Sequence, residues 1–236
     1  MIYFQISRNS EILKKIDCLE TDYAFVYNTR QKKYFENYLN IKKNNIIITG
    51  YIPLKNIQNK KNIVTKKDNI VVYFATSVYQ EIFKNEEEYV LFLKKNSDFF
   101  EKNKFKFIVK LREISYHKSI SKKLLKKGIK FIFDKNTLQV IANSKLVISE
   151  PTTYFYIATL FNKPIILNQL YPFNELEFSK YLTDYPYSKK FKQLKIIQIY
   201  KFIKSKNLNK INNWKNNNLK KVDYTSLVKK ILINLN

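Results

Sequence analysis

The sequence contains only two glycines, Gly50 and Gly128, in 236 residues. A dinucleotide-binding fingerprint and a P-loop each need several glycines close together, because the backbone must approach a phosphate there. Two isolated glycines therefore exclude both motifs. A phosphate site in this chain would have to be built by other means.

Cysteine and histidine occur once each, at Cys18 and His117. A single cysteine excludes an internal disulfide, and together with a single histidine it gives no set of metal ligands. The sequence offers Cys18 no activating partner, so we interpret it as a small packing residue. His117 lies in a polar stretch that is predicted to be a loop, and we do not expect it to be catalytic.

Long apolar runs are also missing. No run reaches the roughly 20 residues that a membrane-spanning helix needs. The first residues, MIYFQISRNSEILKKID, lack the basic segment, apolar stretch and cleavage site of a signal peptide. These absences predict a cytoplasmic protein, and they leave open an association of the lysine-rich carboxyl-terminal part with the inner face of the cell membrane.

Positive charge is abundant, but arginine is scarce. The net charge is +25, yet arginine occurs only as Arg8, Arg30 and Arg112. Lysine accompanies an excess of Asn, Ile, Tyr and Phe, which is the bias expected from AT-rich codons. Because arginine is the better bidentate reader of phosphates, this composition favours codon bias over a polyanion site. Nucleic acid is not an expected partner.

From residue 69 onward, short apolar runs alternate with helical patterns. Strands are predicted at residues 69–76, 104–112, 129–134, 145–150 and 163–169, and helices at 86–103, 119–128, 136–144 and 152–162. This alternation predicts βαβ crossovers, and the near-continuous apolarity of the later strands is typical of strands covered on both faces. The fold class is therefore α/β, a Rossmann-like parallel sheet with helices on both faces.

The remaining segments suggest a division into four parts. Residues 1–50 contain one strand–helix–strand unit, at 22–28, 29–40 and 44–50, and we interpret them as the remnant of an amino-terminal Rossmann-like domain. Residues 51–68 are polar and predicted to be a linker. Residues 69–170 form the main α/β domain. Residues 171–236 are predicted to hold an aromatic surface loop followed by basic helices.

Candidate ligand-binding residues follow the predicted strands, because ligands of open parallel sheets bind beyond the carboxyl ends of the strands. In chain order these candidates are Ser77, Lys110, Arg112, Asp134, Glu150, Thr152 and Thr153. For Lys110 and Arg112, solvated strand-end charges explain the pattern equally well.

The stretch SEPTT, residues 149–153, is the most informative turn. Pro151 presets its backbone, and Thr152 and Thr153 then stand at a predicted helix N-terminus, where unpaired N–H groups attract an anion. A simple helix cap is the alternative interpretation. Glu150 adds negative charge, so it suits a hydrogen bond to ribose or sugar hydroxyls better than a phosphate.

Three stretches resemble the carboxyl-terminal half of GT-B glycosyltransferases, in particular bacterial surface-polysaccharide and CDP-glycerol glycerophosphotransferase-like proteins. NNIIITGYIP (44–53) is similar to the strand that leaves the first domain. KFKFIVKLRE (104–113) is similar to a strand ending in a K/R-L-H-P segment. NTLQVIANSKLVISEPTTYFYIATLFNKPIIL (136–167) is similar to the ADLVISDPSS…EALALGKPVI signature, with Lys163–Pro164 as its closing dipeptide.

The resemblance implies a nucleotide-diphosphate sugar or alditol donor, used for cell-surface polysaccharide synthesis without a metal or other cofactor. It implies three groups of site residues: Thr152, Thr153 and Ser77 on the donor diphosphate, Glu150 near the ribose or donor sugar, and Lys110, Arg112 and Asp134 toward the nucleotide. A UDP-sugar epimerase shares this architecture, but the lack of a histidine and a glycine near the turn weighs against it.

Two departures from the family pattern matter. Arg112–Glu113 stands where the family has His–Pro, and only residues 1–50 precede the linker, where such enzymes carry a full acceptor domain. The chain is therefore expected to be truncated, or half of a split enzyme whose partner chain supplies the acceptor domain, or to have lost catalysis. The rival interpretation is a non-catalytic basic module that binds nucleic acid or an anionic membrane.

Overall fold

The computed structural model describes residues 24–26, 29, 32–33, 36, 43–48, 69–75, 83–133, 137–149, 154–167, 185–191 and 193–219, except for the side chains of Phe25 and Tyr116. The chain divides into two compact units, residues 1–61 with 212–236, and residues 62–211. The predicted linker at 51–68 lies outside the described residues, and the four-part division stays a prediction.

In the first unit, two short strands pair in parallel. They are β1 (Ala24–Val26) and β2 (Ile46–Ile48), and β2 follows a single 3-10 turn at Lys43–Asn45. Between the strands, residues 29, 32, 33 and 36 are helical. This agrees with the strand–helix–strand unit predicted from the sequence.

The second unit contains a six-stranded sheet in which every neighbouring pair is parallel. The strands are β3 (Ile70–Phe74), β4 (Lys106–Lys110), β5 (Lys130–Ile132), β6 (Leu146–Ser149), β7 (Ile165–Leu167) and β8 (Ser188–Lys189). The helices are α1 (Glu86–Lys102), α2 (Ser115–Lys126), α3 (Thr137–Asn143), α4 (Tyr154–Leu160), α5 (Ile196–Lys204) and α6 (Leu208–Asn218). The division between the units falls within α6.

Helices pack on both faces of this sheet. Successive residues of a strand point to opposite faces, so each strand contributes side chains to both layers of helices. On one face, the ring of Phe100 in α1 stacks on that of Phe107, at 5.8 Å between centroids. On the other face, the Phe74 ring lies 5.7 Å from that of Tyr154 in α4. The predicted α/β class, a Rossmann-like parallel sheet covered on both sides, is confirmed.

Local signals explain where α1 begins and where α2 ends. The Asn85 side chain accepts a hydrogen bond from the Glu88 N–H at 2.9 Å and caps α1, whose first turn is acidic. After α2, Gly128 adopts a φ of +72°, the left-handed conformation predicted for it. Ile129 N–H then closes the turn on Leu124 O at 3.0 Å.

Two parts of the sequence-based prediction are wrong. His117 does not lie in a loop, because α2 begins at Ser115 and includes it. The aromatic loop that opens residues 171–236 was expected at the surface, yet Tyr185 and Tyr187 are only 1% and 3% exposed. Burial also raises the pKa of Tyr187 to about 12.

Within the described residues, no helix has the length and apolarity to cross a membrane.

Candidate functional site

The strand order places a crevice in the middle of the sheet. The order is β5-β4-β3-β6-β7-β8, which becomes 3-2-1-4-5-6 when the strands are numbered within this sheet. In such a sheet the chain continues in opposite directions from the two central strands, here β3 and β6. Ligands bind outside the carboxyl ends of these two strands. The expected ligand position is therefore beyond the ends of β3 and β6.

The strand register shows which residues form the edge of this crevice. Phe74, at the end of β3, pairs with Lys110 of β4 on one side and with Ser149 of β6 on the other. Paired residues in neighbouring strands point to the same face of a sheet. Phe74, Lys110 and Ser149 therefore form one row at the carboxyl edge, on the face that α4 covers.

Lys110 is buried at this edge, with an exposed fraction of 1%. Its Nζ atom lies 3.7 Å from the centroid of the Tyr154 ring, within the range of a cation–π interaction. The alternative interpretation of Lys110 as a solvated strand-end charge is therefore wrong. A buried cation beside the switch point is a chemical feature that an anionic ligand can use.

Arg112 lies two residues beyond β4 and is half-buried. Its backbone N–H donates a hydrogen bond to Nδ1 of His117 at 2.6 Å, and the His117 side chain is fully buried. The single histidine thus fixes the connection that carries Arg112. It acts on this connection through the backbone N–H of Arg112.

Five predicted site residues lie outside the described residues: Ser77, Asp134, Glu150, Thr152 and Thr153. Their roles stay predictions. What the structure describes is the end of each strand that leads into them, namely Phe74, Ile132 and Ser149. The ends of β3 and β6 are neighbours in the sheet, where Phe74 pairs with Ser149.

The closing dipeptide Lys163–Pro164 lies at the opposite, amino-terminal edge of the sheet, immediately before β7. Lys163 Nζ donates hydrogen bonds to the carbonyl oxygens of Ala142 and Ser144, both at 2.6 Å. Ala142 lies in the last turn of α3 and Ser144 follows the helix directly; carbonyl groups at a helix end lack partners within the helix. Burial lowers the pKa of Lys163 to about 8, and the nearby Lys206 adds to this shift. This lysine connects α3 to β7 and is remote from the crevice.

Sequence reasoning missed Tyr154 as a residue of the site. It was part of a predicted helix. The only signal in the sequence was its position, as an aromatic residue directly after Thr152 and Thr153. Its contact with Lys110 depends on the sheet order, which the sequence does not display. Among the described residues, no group of three His, Cys, Asp or Glu side chains is placed to hold a metal ion.

Comparison with known proteins gave similarities in structure alone. No family model matches the sequence, and no curated protein matches it. Two solved structures of the wall teichoic acid polymerase TagF, one of them a variant soaked with CDPG, superpose with a TM-score of 0.57 each. Their sequence identities are 11% and 13%, and the matches cover 100% and 99% of this chain.

The chain spans only 64% and 63% of the length of those two TagF chains. A UDP-GlcNAc 2-epimerase from Neisseria meningitidis, solved with UDP-GlcNAc, aligns over 91% of this chain and 61% of its own, at 12% identity and a TM-score of 0.48. That score is too low to carry an argument. The TagF matches show the fold: the chain is similar to GT-B-like structures, and its six-stranded sheet is the Rossmann-like sheet of that architecture.

Proposed function

We propose that this chain binds a nucleotide-diphosphate sugar or alditol as the donor of a GT-B-type transferase, acting in cell-surface polysaccharide synthesis. The observation that carries the proposal is the position of Lys110. A cation buried at the carboxyl edge, one strand away from the switch point, is suited to a phosphate anion. The fold likeness to TagF, a wall teichoic acid polymerase, adds support.

The donor would lie beyond β3 and β6. The resemblance implied that Lys110 lies toward the nucleotide; in this proposal it contacts the diphosphate instead, because its ammonium is buried at the carboxyl edge of the sheet. The predicted contacts of Thr152, Thr153 and Ser77 with the diphosphate belong to this proposal, as do Glu150 on the sugar side and Asp134 and Arg112 on the nucleotide side. Backbone N–H groups after β6 and the ammonium of Lys110 would together balance the charge of the leaving diphosphate. In this account, transfer needs no metal.

Transfer also needs an acceptor site, and we propose that a further domain or a partner chain supplies it. The chain alone would then bind donor without turning it over. Addition of that domain would restore turnover, whereas donor affinity would be a property of this chain.

Titration calorimetry with CDP-glycerol and UDP-GlcNAc tests the donor site. We expect saturable binding of one of them to the wild type. In a Thr152→Ala, Thr153→Ala double variant, binding should be at least tenfold weaker, a loss of about 1.4 kcal/mol. A Ser119→Ala, Ser121→Ala double variant removes two hydroxyls from α2 and should bind as the wild type does. No saturable binding to the wild type would refute the proposal.

A second candidate function, attachment to an anionic membrane, is favoured by the carboxyl-terminal part. Between Asp184 and Asp223 the sequence has no acidic residue, and lysine is its only charged residue. In the same part, Ile197 and Leu208 are 68% and 50% exposed. Apolar side chains among lysines favour an anionic lipid surface. Sedimentation with phosphatidylglycerol vesicles should show binding that falls with salt, and vesicles of phosphatidylcholine should not bind.

A further inference from the structure

Tyr154 connects three strand ends across the switch point. It is the first residue of α4, the helix after β6, yet its ring contacts Phe74 of β3 and lies over the ammonium of Lys110 of β4. Because β3 lies between β4 and β6, this one side chain reaches across the position where the ligand is expected.

An aromatic ring holds a cation in a particular way. The negative face of the ring attracts the ammonium through its quadrupole, but the ring carries no net charge. Tyr154 therefore orients Lys110 without neutralising it. The low exposure of Lys110 strengthens its attraction for an anion, because little water screens the charge. Orientation before binding also reduces the side-chain entropy that a lysine loses when it contacts a ligand.

We infer that Tyr154 is a positioning residue that holds the Lys110 ammonium toward the diphosphate of the donor. It thereby sets the affinity for the phosphate-bearing part of the ligand, and it contributes nothing to recognition of the base. This inference rests on the proposed donor site. The group that touches the ligand is Lys110, and Tyr154 acts through it.

Binding of nucleosides and nucleoside diphosphates separates these roles. The probes are cytidine, CDP, uridine and UDP, and the variants are Tyr154→Leu, which removes the ring, and Tyr154→Phe, which keeps it. We expect Tyr154→Leu to weaken diphosphate binding about tenfold, a loss within the range of cation–π interactions. Nucleoside binding should stay unchanged, and Tyr154→Phe should behave as the wild type.

A double-mutant cycle with Lys110→Met distinguishes positioning from packing. If Tyr154 acts through Lys110, the Tyr154→Leu change costs no further diphosphate affinity in the Lys110→Met background. If Tyr154 only packs against Phe74, the change weakens diphosphate binding equally in both backgrounds. That second result, or an equal loss of nucleoside affinity, would overturn the inference.

The contact itself can be measured without any nucleotide. In protein labelled with lysine carrying 13C at Cε, the ring current of Tyr154 should shift the Lys110 signal, which is identified by its absence in Lys110→Met. The shift should persist in Tyr154→Phe and vanish in Tyr154→Leu. A Lys110 signal that Tyr154→Leu leaves in place refutes the contact. The remaining outcome is that the Lys110 shift behaves as expected but the wild type binds none of the four probes. The contact then exists, and both the donor site and the positioning role are refuted.

Discussion

The imidazole Nδ1 of His117 accepts a hydrogen bond from the backbone N–H of Arg112 at 2.6 Å. An acceptor nitrogen carries no proton, so the ring is neutral with its hydrogen on Nε2. The only histidine of the chain thus fastens the connection from β4 to α2, and α2 carries it inside the fold.

We predict that His117→Leu destabilises the protein by about 1–3 kcal/mol, since it leaves a backbone donor without its acceptor. His117→Asn can place an acceptor oxygen near the position of Nδ1 and should lose less stability. Urea denaturation of both variants measures the difference. An equal loss in the two variants would show that the volume of the ring, and not its acceptor, matters.

A second prediction concerns the turn after α2. Gly128 has a φ of +72°, and a Cβ added there would meet no atom within 4 Å. Gly128→Ala should therefore cost about 1 kcal/mol through backbone strain alone, and Gly128→Asn should cost less, because asparagine tolerates this conformation better. Lys127→Ala is the matched control, since Lys127 has an ordinary φ of −91°. Thermal unfolding provides the comparison, and an alanine variant as stable as the wild type would contradict it.

Lys163 should make stability rise with pH in mildly alkaline solution. Its pKa is about 8 in the folded protein and about 10.5 when unfolded, so between these values the unfolded chain binds more protons. Stability then increases with pH over that range, by roughly 1 kcal/mol after allowance for screening by solvent. The neutral amine keeps two N–H donors, so its bonds to Ala142 and Ser144 survive deprotonation.

Denaturant titrations from pH 7.5 to pH 10 test this effect. The Lys163→Met variant should show a flatter pH dependence than the wild type. Lys145→Met, which removes an exposed lysine at the same edge of the sheet, should retain the wild-type slope. Parallel slopes for the wild type and Lys163→Met would contradict the assignment.

Tyr187 should make the stability of the protein fall with pH in more alkaline solution. Its hydroxyl donates to the carbonyl oxygen of Ile203, and burial raises its pKa to about 12. The stability that this tyrosine contributes is complete below its unfolded pKa of about 10 and is lost as pH rises toward 12. Tyr187→Phe should cost about 1 kcal/mol at pH 7, and the difference from the wild type should shrink above pH 10. The exposed Tyr200→Phe should show no such convergence.

The alternation of strands and helices could be predicted from residue 69 onward because apolar periodicity determines it locally. The predicted strand bounds were too wide: β4 covers Lys106–Lys110 where residues 104–112 were predicted, and β5 covers Lys130–Ile132 where 129–134 were predicted. The start of α2 was predicted four residues late. Ile114 precedes that helix without a side-chain cap, so the sequence contains no start signal there.

Other features depend on long-range pairing that no local pattern encodes. The last strand, β8, has only two residues, Ser188 and Lys189, and forms because β7 offers it an open edge. Burial of Lys110 could not be distinguished from solvation in the sequence, since both place a lysine at a strand end. Its contact with Tyr154 follows from the sheet order.

The central claim is that Lys110 serves an anionic donor, and β4 contains its own control. Lys110 and Lys106 stand at opposite ends of the same strand, the first buried and the second exposed. The most direct measurement is calorimetric titration of CDP and UDP into the wild type, Lys110→Met and Lys106→Met. We predict that Lys110→Met weakens binding of the preferred diphosphate at least tenfold, as expected for a buried charge-assisted contact, and that Lys106→Met binds as the wild type does. Equal affinities in all three proteins would contradict the account.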